Sequence, residues 1–301
     1  MTAFTDFTPD FVAGLAGADA ARALQEDVGQ GDLTAGLVDP KLRAHARVLA
    51  RESAVICGQP WAEAALRQLD PEVEITWHVP EGHRCNADQV VLEIHGQARA
   101  LLTAERTALN FLQLMSAVAS KTHDYVEAIR DVPGVRAHIV DTRKTIPGLR
   151  LAQKYAVLMG GGVNHRLGLY DAVLIKENHI AAAGGVTAVL HKAALVAPQA
   201  RFVEIEIETL AQLSEALDAG AGMVLLDNMG LSQLHEAVQL NAGRAILEVS
   251  GGVNLSSVRA IASTGVDRIS IGALTKDIHA VDFSMRFATE PLPRPAARVD
   301  F

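Results

Sequence analysis

The chain has 301 residues, of which 49% are hydrophobic and 21% charged, and its formal net charge is −8. This composition is ordinary for a globular enzyme, and the length allows one large domain or two unequal ones. The negative charge argues against a nucleic-acid surface, which requires a basic stripe. A strong anion site must therefore be a local basic cluster within an acidic protein.

The sequence also argues against a targeting signal, a membrane span and a structural role for the cysteines. Met1–Asp10 has no basic segment followed by an apolar one, so no secretory signal is expected. No apolar run approaches the roughly 18 residues of a membrane span. Cys57 and Cys85 are too few and too isolated for a zinc site or a disulfide framework. We expect two free buried thiols and a reducing cytoplasm.

The N-terminal part of the chain predicts a small α+β module on an antiparallel sheet. Helical apolar spacing runs from Phe11 to Gln25 and again over Trp61–Leu69. The strand-like runs are Ala44–Ile56, Val73–Val79 and Val90–Ile94. A long helix from Arg99 to about Ile129 is apolar on almost every side, which predicts burial in a large core or against a second subunit.

Six short apolar runs in the second half of the chain each end at a polar residue, a glycine or both. They are Arg136–Val140, Ala172–Ile175, Phe202–Ile207, Met223–Leu226, Ala245–Val249 and Ile269–Ile271. Nearly continuous hydrophobic strands that alternate with helices indicate a parallel sheet buried on both faces. Because a complete barrel has eight strands, we predict an incomplete α/β barrel of about six parallel strands. An open doubly wound sheet is the alternative, since periodicity does not distinguish the two.

Two further expectations concern the end of the chain. The apolar positions Ile278, Val281, Phe283, Met285 and Phe287 predict a last helix. Pro291–Phe301 is rich in proline and is expected to be poorly ordered.

Cations are concentrated at the predicted strand ends, where an α/β barrel places its active site. They are Arg143, Lys144, His165, Arg166 and Lys176, with Arg106 in the middle of the long helix. Each of them alone has an ordinary explanation. Arg143 could be a surface arginine, His165 a hydrogen-bonded core histidine, and Arg106 part of an interior ion pair. Together they predict a pocket for a multiply charged anion, because arginine binds carboxylate and phosphate bidentately and lysine acts as a point charge.

Carboxylates form a second group. Glu204, Glu206 and Glu208 alternate along one predicted strand and share a face, and Asp227 ends the next strand. In a barrel this face points into the lumen, where unpaired carboxylates are costly. Glu206 and Asp227 near a phosphate suit Mg²⁺, which completes its coordination from water and substrate oxygens. An ion pair between Glu206 and Lys176 is the alternative, and both can hold in different ligand states.

Glycine-containing turns follow the last two strands, at Ser250-Gly251-Gly252 and Gly272-Ala273-Leu274-Thr275. Barrels commonly bind phosphate with these loops through backbone N–H groups, although Gly-Gly alone is most often a simple turn. The sequence contains no nucleophile elbow, no Cys/His signature and no His cluster with metal spacing. These features together indicate a reaction that depends on positioning and electrostatics.

These motifs resemble, in order, those of the quinolinate phosphoribosyltransferase family, from about Glu26 to Met285. The matching segments are Glu105–Asn110, Asp141–Arg150, Gly161–Arg166, Leu174–His179, Glu204–Glu206, Leu225–Asn228, Ser250–Gly252 and Gly272–Thr275. The ten-residue segment Asp141–Arg150 is the most specific of them. The short Gly-Gly segments support the resemblance only because they occur in the same order along the chain.

The resemblance implies an architecture and a reaction. The architecture is an N-terminal α/β sandwich (residues 1–120, joined by 281–301) and a barrel domain (residues 121–280), in a homodimer with active sites at the subunit boundary. The reaction joins quinolinate to the phosphoribosyl group of phosphoribosyl pyrophosphate (PRPP), with Mg²⁺, and yields nicotinate mononucleotide, pyrophosphate and CO₂. No nucleic-acid or membrane partner is expected.

The resemblance also implies residue roles. Quinolinate is expected to contact Arg143, Lys144, His165 and Arg166, with Arg106 supplied by the neighbouring subunit, and Thr142 is expected to bind substrate. Lys176 is expected between the two substrates, and Glu206 and Asp227 at the Mg²⁺ and the ribose; these three are the expected catalytic residues. The phosphate groups are expected at Ser250, Gly251, Gly252, Ile271, Gly272 and Ala273.

Three other functions are compatible with parts of the pattern. A Schiff-base aldolase could use Lys176 at a strand end, if its surroundings favoured the neutral amine. A relative with the same scaffold could take another acid, such as nicotinate. A non-catalytic anion-binding protein could keep the scaffold, although an intact pair of Glu206 and Asp227 argues against it.

Overall fold

The structure, a computed structural model, describes residues 7–287. The chain divides into two compact units, which within the described residues comprise 117–279 and, separately, 7–116 with 280–287. None of the described helices combines the length and the apolar character that crossing a membrane requires.

The unit that contains the N-terminal half begins with helix α1 (Pro9–Val28). The Thr8 hydroxyl accepts the N–H of Phe11, proline occupies the first position of the helix, and Gly29 ends it at φ 57°. These are common start and stop signals, and they extend the predicted helix at both ends. A short 3₁₀ turn follows at Ala35–Leu37.

The sheet of this unit is antiparallel with strand order β12-β1-β5-β3. Its strands are β1 (Arg43–Ala50), β3 (Glu74–Trp77), β5 (Val90–Gln97) and β12 (Phe283–Phe287). Helix α2 (Gln59–Leu69) buries Trp61 and Leu66. The predicted run Ala44–Ile56 is not one strand, because the chain turns away after β1 and forms a separate ladder of β2 (Ala54–Val55) with β4 (Arg84–Cys85). Cys57 and Cys85 are free and buried, as predicted.

The predicted long helix is α3 (Ala98–Arg130), a single helix of 33 residues whose two parts belong to the two units. Large side chains along it, among them Leu101, Leu109, Leu112 and Met115, are at most 2% exposed. Burial on several sides explains the nearly continuous apolar sequence.

The second unit contains a parallel sheet of six strands in the order β6-β11-β10-β9-β8-β7. The strands are β6 (His138–Val140), β7 (Val173–Ile175), β8 (Val203–Ile207), β9 (Met223–Asp227), β10 (Ile246–Ser250) and β11 (Arg268–Ser270). All six predicted strands are present. Apart from β6, they follow one another in chain order with no reversal, whereas a doubly wound sheet changes direction at a switch point.

This order is that of a barrel left open between β6 and β7. Among the described residues, the free edge of β6 is extended by one parallel bridge, from Val140 to Val163, rather than by β7. The incomplete α/β barrel is therefore confirmed. Its core contains buried strand residues such as Ile139, Ile205 and Val249.

Helices connect the strands and cover the outside of this sheet. They are α4 (Arg150–Met159), α5 (Glu177–Ala183), α6 (Val186–Ala193), α7 (Leu210–Asp218), α8 (Leu231–Asn241), α9 (Val258–Ala262) and α10 (Ala273–Lys276), with a 3₁₀ turn at Ala197–Gln199. The capping of α7 is typical: Thr209 accepts the N–H of Gln212, whose side chain accepts the N–H of Thr209 in return.

The last predicted element is wrong. The residues from Phe283 to Phe287 form strand β12, not a helix, and β12 pairs antiparallel with β1. Phe283, Met285 and Phe287 recur with period two, which fits a strand. The predicted disordered tail Pro291–Phe301 lies outside the described residues.

Candidate active site

Two adjoining cavities open at the carboxyl ends of the six parallel strands. The first, of about 170 Å³, is lined mainly by cations and strand side chains, and the lining of the second, of about 470 Å³, includes three glycines, three lysines and two carboxylates. Both are lined by Thr142, Lys144, Lys176, Glu206, Ser250 and Ser270. The two cavities are therefore parts of one site.

The first cavity is basic because Arg143, Lys144 and Arg166 line it together. Among the described residues none of these three side chains forms an ion pair, and Nε of Arg143 is buried without a hydrogen-bond partner. Arg166 is only 9% exposed. Burial lowers the pKa of Arg166, and the neighbouring Arg143 guanidinium lowers it further. Cations that line one cavity without ion pairs of their own are arranged for an anionic ligand.

His165 also lines this cavity, but both of its ring nitrogens are engaged. Nε2 lies 2.7 Å from Oε2 of Glu204, and Nδ1 accepts the backbone N–H of Arg166 at 2.8 Å. Burial lowers the pKa of His165, but the carboxylates of Glu248 and Glu204 outweigh burial and raise it overall. Because Nδ1 accepts a hydrogen bond here, we assign the neutral tautomer with the proton on Nε2. Direct bonding of this ring to a ligand requires one of these hydrogen bonds to be exchanged.

A buried polar network forms the inner wall of the first cavity. Glu248 accepts the Arg268 Nε at 2.6 Å and the hydroxyl of Ser270. Burial and the Glu248 carboxylate raise the pKa of Glu204 to about 7, although His165 opposes this shift. The ligand atoms of His165, Glu204 and Glu248 lie within 4.8 Å of one another. Hydrogen bonds within the protein use the imidazole nitrogens, both Glu248 oxygens and Oε2 of Glu204, whereas Oε1 of Glu204 is buried without a hydrogen-bond partner.

The second cavity brings Lys176, Glu206 and Asp227 together. The Lys176 Nζ is 2.8 Å from Glu206 Oε2, so the ion pair that the sequence left open is present. Burial raises the pKa of Asp227, and the nearby Glu206 carboxylate raises it further. Two partly buried carboxylates lining the same cavity suit a hard divalent cation. The donor set therefore fits Mg²⁺.

The far wall of the second cavity is built from two turns, 250–253 and 271–273, with Lys276 beside them. Gly251 has φ 104° and Gly252 φ 60°, conformations that favour glycine. A side chain at Gly251 would collide with the amide of Asn228, which donates to the Asp227 carboxylate at 2.7 Å. The turn is thus packed against the carboxylates and leaves backbone groups available to a phosphate.

Comparison with known families decides the relationship. The model described as quinolinate phosphoribosyl transferase, C-terminal domain, matches residues 118–286, and the model of the N-terminal domain matches residues 32–116. The chain belongs to the quinolinate phosphoribosyltransferase family. It is 39% identical over 260 residues to the probable nicotinate-nucleotide pyrophosphorylase (carboxylating) of Bacillus subtilis (strain 168), which covers 86% of this chain and 89% of that protein.

Solved structures agree with this membership of the quinolinate phosphoribosyltransferase family. The nicotinate-nucleotide pyrophosphorylase of Francisella tularensis matches with a TM-score of 0.87 and 42% identity over 92% of this chain and 97% of that one. NadC from Streptococcus pyogenes matches with a TM-score of 0.87 and 40% identity over 94% of this chain and 99% of that one.

The structure brings together the family's expected site residues in the barrel unit. Thr142, Arg143, Lys144, His165, Arg166, Lys176, Glu206, Asp227, Ser250, Gly251, Gly252, Ile271, Gly272 and Ala273 all line one or both cavities. Arg106 belongs to the other unit and is exposed on α3, rather than held in an interior ion pair. What each residue binds remains a prediction.

Several residues that line the cavities were not named as site residues in the sequence analysis. They are Leu174, Leu225, Asn228, Glu248, Val253, Ser270 and Lys276. Glu248 gave a usable signal, since it is a charged residue in an otherwise apolar predicted strand, two positions before Ser250. Residues two apart in a strand share a face, so Ser250 in the site places Glu248 on the same side.

Proposed function

We propose that this protein transfers the phosphoribosyl group of PRPP to quinolinate, with decarboxylation, and so makes nicotinate mononucleotide, pyrophosphate and CO₂ in the biosynthesis of NAD. The observation that carries this proposal is the group of three cations, Arg143, Lys144 and Arg166, that line one cavity and form no ion pair within residues 7–287. Quinolinate is a small planar dianion, and this cavity offers it matching charge. The names of the relatives support the same reaction.

Each substrate has its own part of the site. The adjacent carboxylates of quinolinate engage Arg143 and Arg166, while Thr142 and Lys144 lie toward the second cavity. Nicotinate has one carboxylate and would leave one of these two guanidiniums without a partner, which disfavours it. The phosphates of PRPP occupy the turns at Ser250–Gly252 and Ile271–Ala273, where backbone N–H groups bind anions without adding charge.

Glu206 and Asp227 hold Mg²⁺ and the ribose hydroxyls. When bound, Mg²⁺ neutralises charge on the pyrophosphate and so makes it a better leaving group. Lys176 lies at the junction of the two cavities, paired with Glu206 at 2.8 Å. Its ammonium is placed to exchange Glu206 for an oxygen of either substrate.

The reaction follows from this placement. The pyridine nitrogen of quinolinate attacks the anomeric carbon of the ribose as the bond to pyrophosphate breaks, with positive character developing on the sugar. Holding the two reactants in line provides most of the acceleration. The ring nitrogen is then positively charged and stabilises the electron pair that stays on the neighbouring carbon when its carboxylate leaves as CO₂. That carbon finally takes a proton from solvent.

A Schiff-base aldolase is disfavoured by the surroundings of Lys176. Such a lysine must be a neutral amine in an apolar or cation-crowded pocket. Here the Lys176 ammonium is paired with a carboxylate, and its side chain is 44% exposed. The second cavity, with its glycine turns, also serves no purpose in that reaction.

The proposal also covers the assembly of the protein and its cellular compartment. We propose a homodimer in which Arg106, exposed on α3, completes the quinolinate site of the other subunit. We also propose a cytoplasmic enzyme, since both cysteines are free thiols.

A coupled assay tests the function. The purified protein is incubated with PRPP and quinolinate labelled in the carboxylate next to the ring nitrogen, with and without Mg²⁺, and CO₂ and pyrophosphate are measured together. Equal, Mg²⁺-dependent release of both products is expected. Nicotinate in place of quinolinate is the matched control and should release little pyrophosphate. Pyrophosphate release without CO₂, or a preference for nicotinate, would contradict the proposal.

A further inference from the structure

A buried ion pair lies behind the quinolinate pocket without lining it. Lys154 of α4 and Asp141 at the end of β6 both have fully buried side chains, and Lys154 Nζ lies 2.6 Å from Asp141 Oδ1. Neither residue lines either cavity. Burial lowers the pKa of Lys154 and raises that of Asp141, and each partner opposes the shift of the other. A buried pair of this kind adds little net stability, so its benefit must lie elsewhere.

Asp141 binds a second segment as well as Lys154. Its Oδ1 accepts the backbone N–H of His165 at 2.8 Å, and its Oδ2 accepts the side-chain amide of Asn164 at 2.7 Å. The same Asn164 amide donates to the carbonyl of Lys154 at 2.9 Å. One carboxylate therefore joins the end of β6, helix α4 and the segment 164–166.

The two segments joined in this way carry the cations of the pocket. Arg143 and Lys144 lie two and three positions after Asp141, and Arg166 follows the bonded residues Asn164 and His165. The guanidiniums of Arg143 and Arg166 line the same cavity and repel each other; burial lowers the pKa of Arg166, and the Arg143 charge lowers it further. Without a ligand, this repulsion favours moving the two segments apart. The bonds to Asp141 oppose that movement.

We propose that Asp141 and Lys154 are positioning residues that hold Arg143 and Arg166 at the spacing that receives two adjacent carboxylates of one ligand. Asn164 completes this anchor. The proposal rests on the proposed function, because it takes quinolinate as that ligand. It predicts that loss of the anchor reduces discrimination between a 1,2-dicarboxylate and a monocarboxylate more than it reduces binding of PRPP.

Binding of unreactive analogues tests the anchor without requiring turnover. Phthalate has the two adjacent carboxylates of quinolinate and no ring nitrogen, and benzoate has only one carboxylate. Affinities for phthalate, benzoate and PRPP are measured by calorimetry for the parent and for the double variant Asp141→Asn with Lys154→Met, which removes both buried charges together. We expect the phthalate affinity to fall at least about tenfold, because small displacements of binding groups are costly. The benzoate and PRPP affinities should change by less than about threefold.

Two further variants make the result decisive. Leu234→Ala, at a buried position of α8 that lines neither cavity, is the control for general destabilisation and should leave the phthalate-to-benzoate ratio unchanged. If the double variant does not fold, Asn164→Ala keeps the ion pair and should still lower that ratio. An unchanged ratio in a folded anchor variant, or an equal loss of phthalate and PRPP binding, would overturn the proposal. Failure of the proposed function is separate, since it appears as a parent protein that makes no product from quinolinate.

Discussion

Single cations at the pocket differ in what surrounds them, and this difference predicts their roles. Lys176 has a carboxylate partner, whereas Arg143 has none among the described residues and its Nε is buried without a hydrogen bond. A partly buried cation without a partner is costly in the free protein. Ligand binding removes that cost, so most of the discrimination for a dianion is expected from the unpaired groups.

Arg143→Ala should therefore weaken quinolinate binding far more than PRPP binding. Loss of a charged hydrogen bond in a site shielded from water costs about 2–5 kcal/mol. Separate calorimetric titrations with the two substrates measure the effect. Arg136→Ala is the matched control, because Arg136 pairs with Asp267 near the amino ends of the strands and should change neither titration. Equal losses for quinolinate and PRPP would show that Arg143 is not specific to quinolinate.

Glu204 predicts a dependence of stability on pH. Its pKa in the folded protein is about 7, above the value of 4.5 for an exposed glutamate, because burial and Glu248 disfavour its charge. A raised pKa stabilises the fold at low pH, and this contribution is lost as the pH rises through about 7. Glu204→Gln removes the ionisation and can still accept the hydrogen bond from His165.

The free energy of unfolding of Glu204→Gln relative to that of the parent should consequently increase between about pH 5 and pH 7 and remain constant above pH 7. Urea unfolding at several pH values measures it. Glu236→Gln, at an exposed position of α8, is the control and should differ from the parent by the same amount throughout. A difference for Glu204→Gln that does not vary with pH would contradict the assigned shift.

At the scale of elements, the sequence predicted the barrel well because each strand gives a strong local signal. A run of apolar residues followed by a charged residue or glycine marks both a buried parallel strand and its carboxyl end. The site residues Arg143, Lys176, Asp227 and Gly251 were found by this rule. Their proximity follows from the parallel sheet, in which carboxyl ends lie at one edge.

The strand and the buried residues that the sequence analysis missed depend on partners distant in sequence. Strand β12 forms on the free edge of β1, which is more than 230 residues earlier in the chain and leaves no local trace. Lys154 was missed because it lies in a helix, where a lysine is ordinarily exposed, and its burial is explained only by Asp141. Arg268 was missed for a similar reason, since its partner Glu248 belongs to another strand.

In the turn after β10, alanine substitutions at two neighbouring glycines should have different effects on PRPP binding. Gly251→Ala should raise the KM for PRPP by about tenfold or more, because a methyl group there displaces Asn228 and with it the hydrogen bond to Asp227. Gly252→Ala meets no atom within 4 Å and adds only backbone strain, about 1 kcal/mol or more. Steady-state kinetics with saturating quinolinate measures both variants. A similar KM for the two would contradict a role for the packing of Asn228.

At the scale of the whole molecule, the charge distribution opposes the sign of the substrates. The protein has a net charge of −8, and both proposed substrates are anions. Long-range attraction therefore does not bring them to the site, and the local cluster of cations must provide the binding energy. A further cation from a second subunit would strengthen that cluster, which makes the contribution of Arg106 the decisive question about the assembly.

Mixing two inactive proteins answers that question. If Arg106 acts across a dimer, Arg106→Ala and Lys176→Ala proteins should regain activity after subunit exchange, because each hybrid dimer contains one site in which both residues are intact. Random exchange makes half of the dimers hybrid with one working site in each, so recovery should approach about a quarter of the parent activity. Lys176→Ala mixed with Asp227→Ala is the matched control and should recover nothing, since both changes affect the same barrel. No recovery with Arg106→Ala, when exchange is confirmed by labelled subunits, would mean that each site is built from one chain.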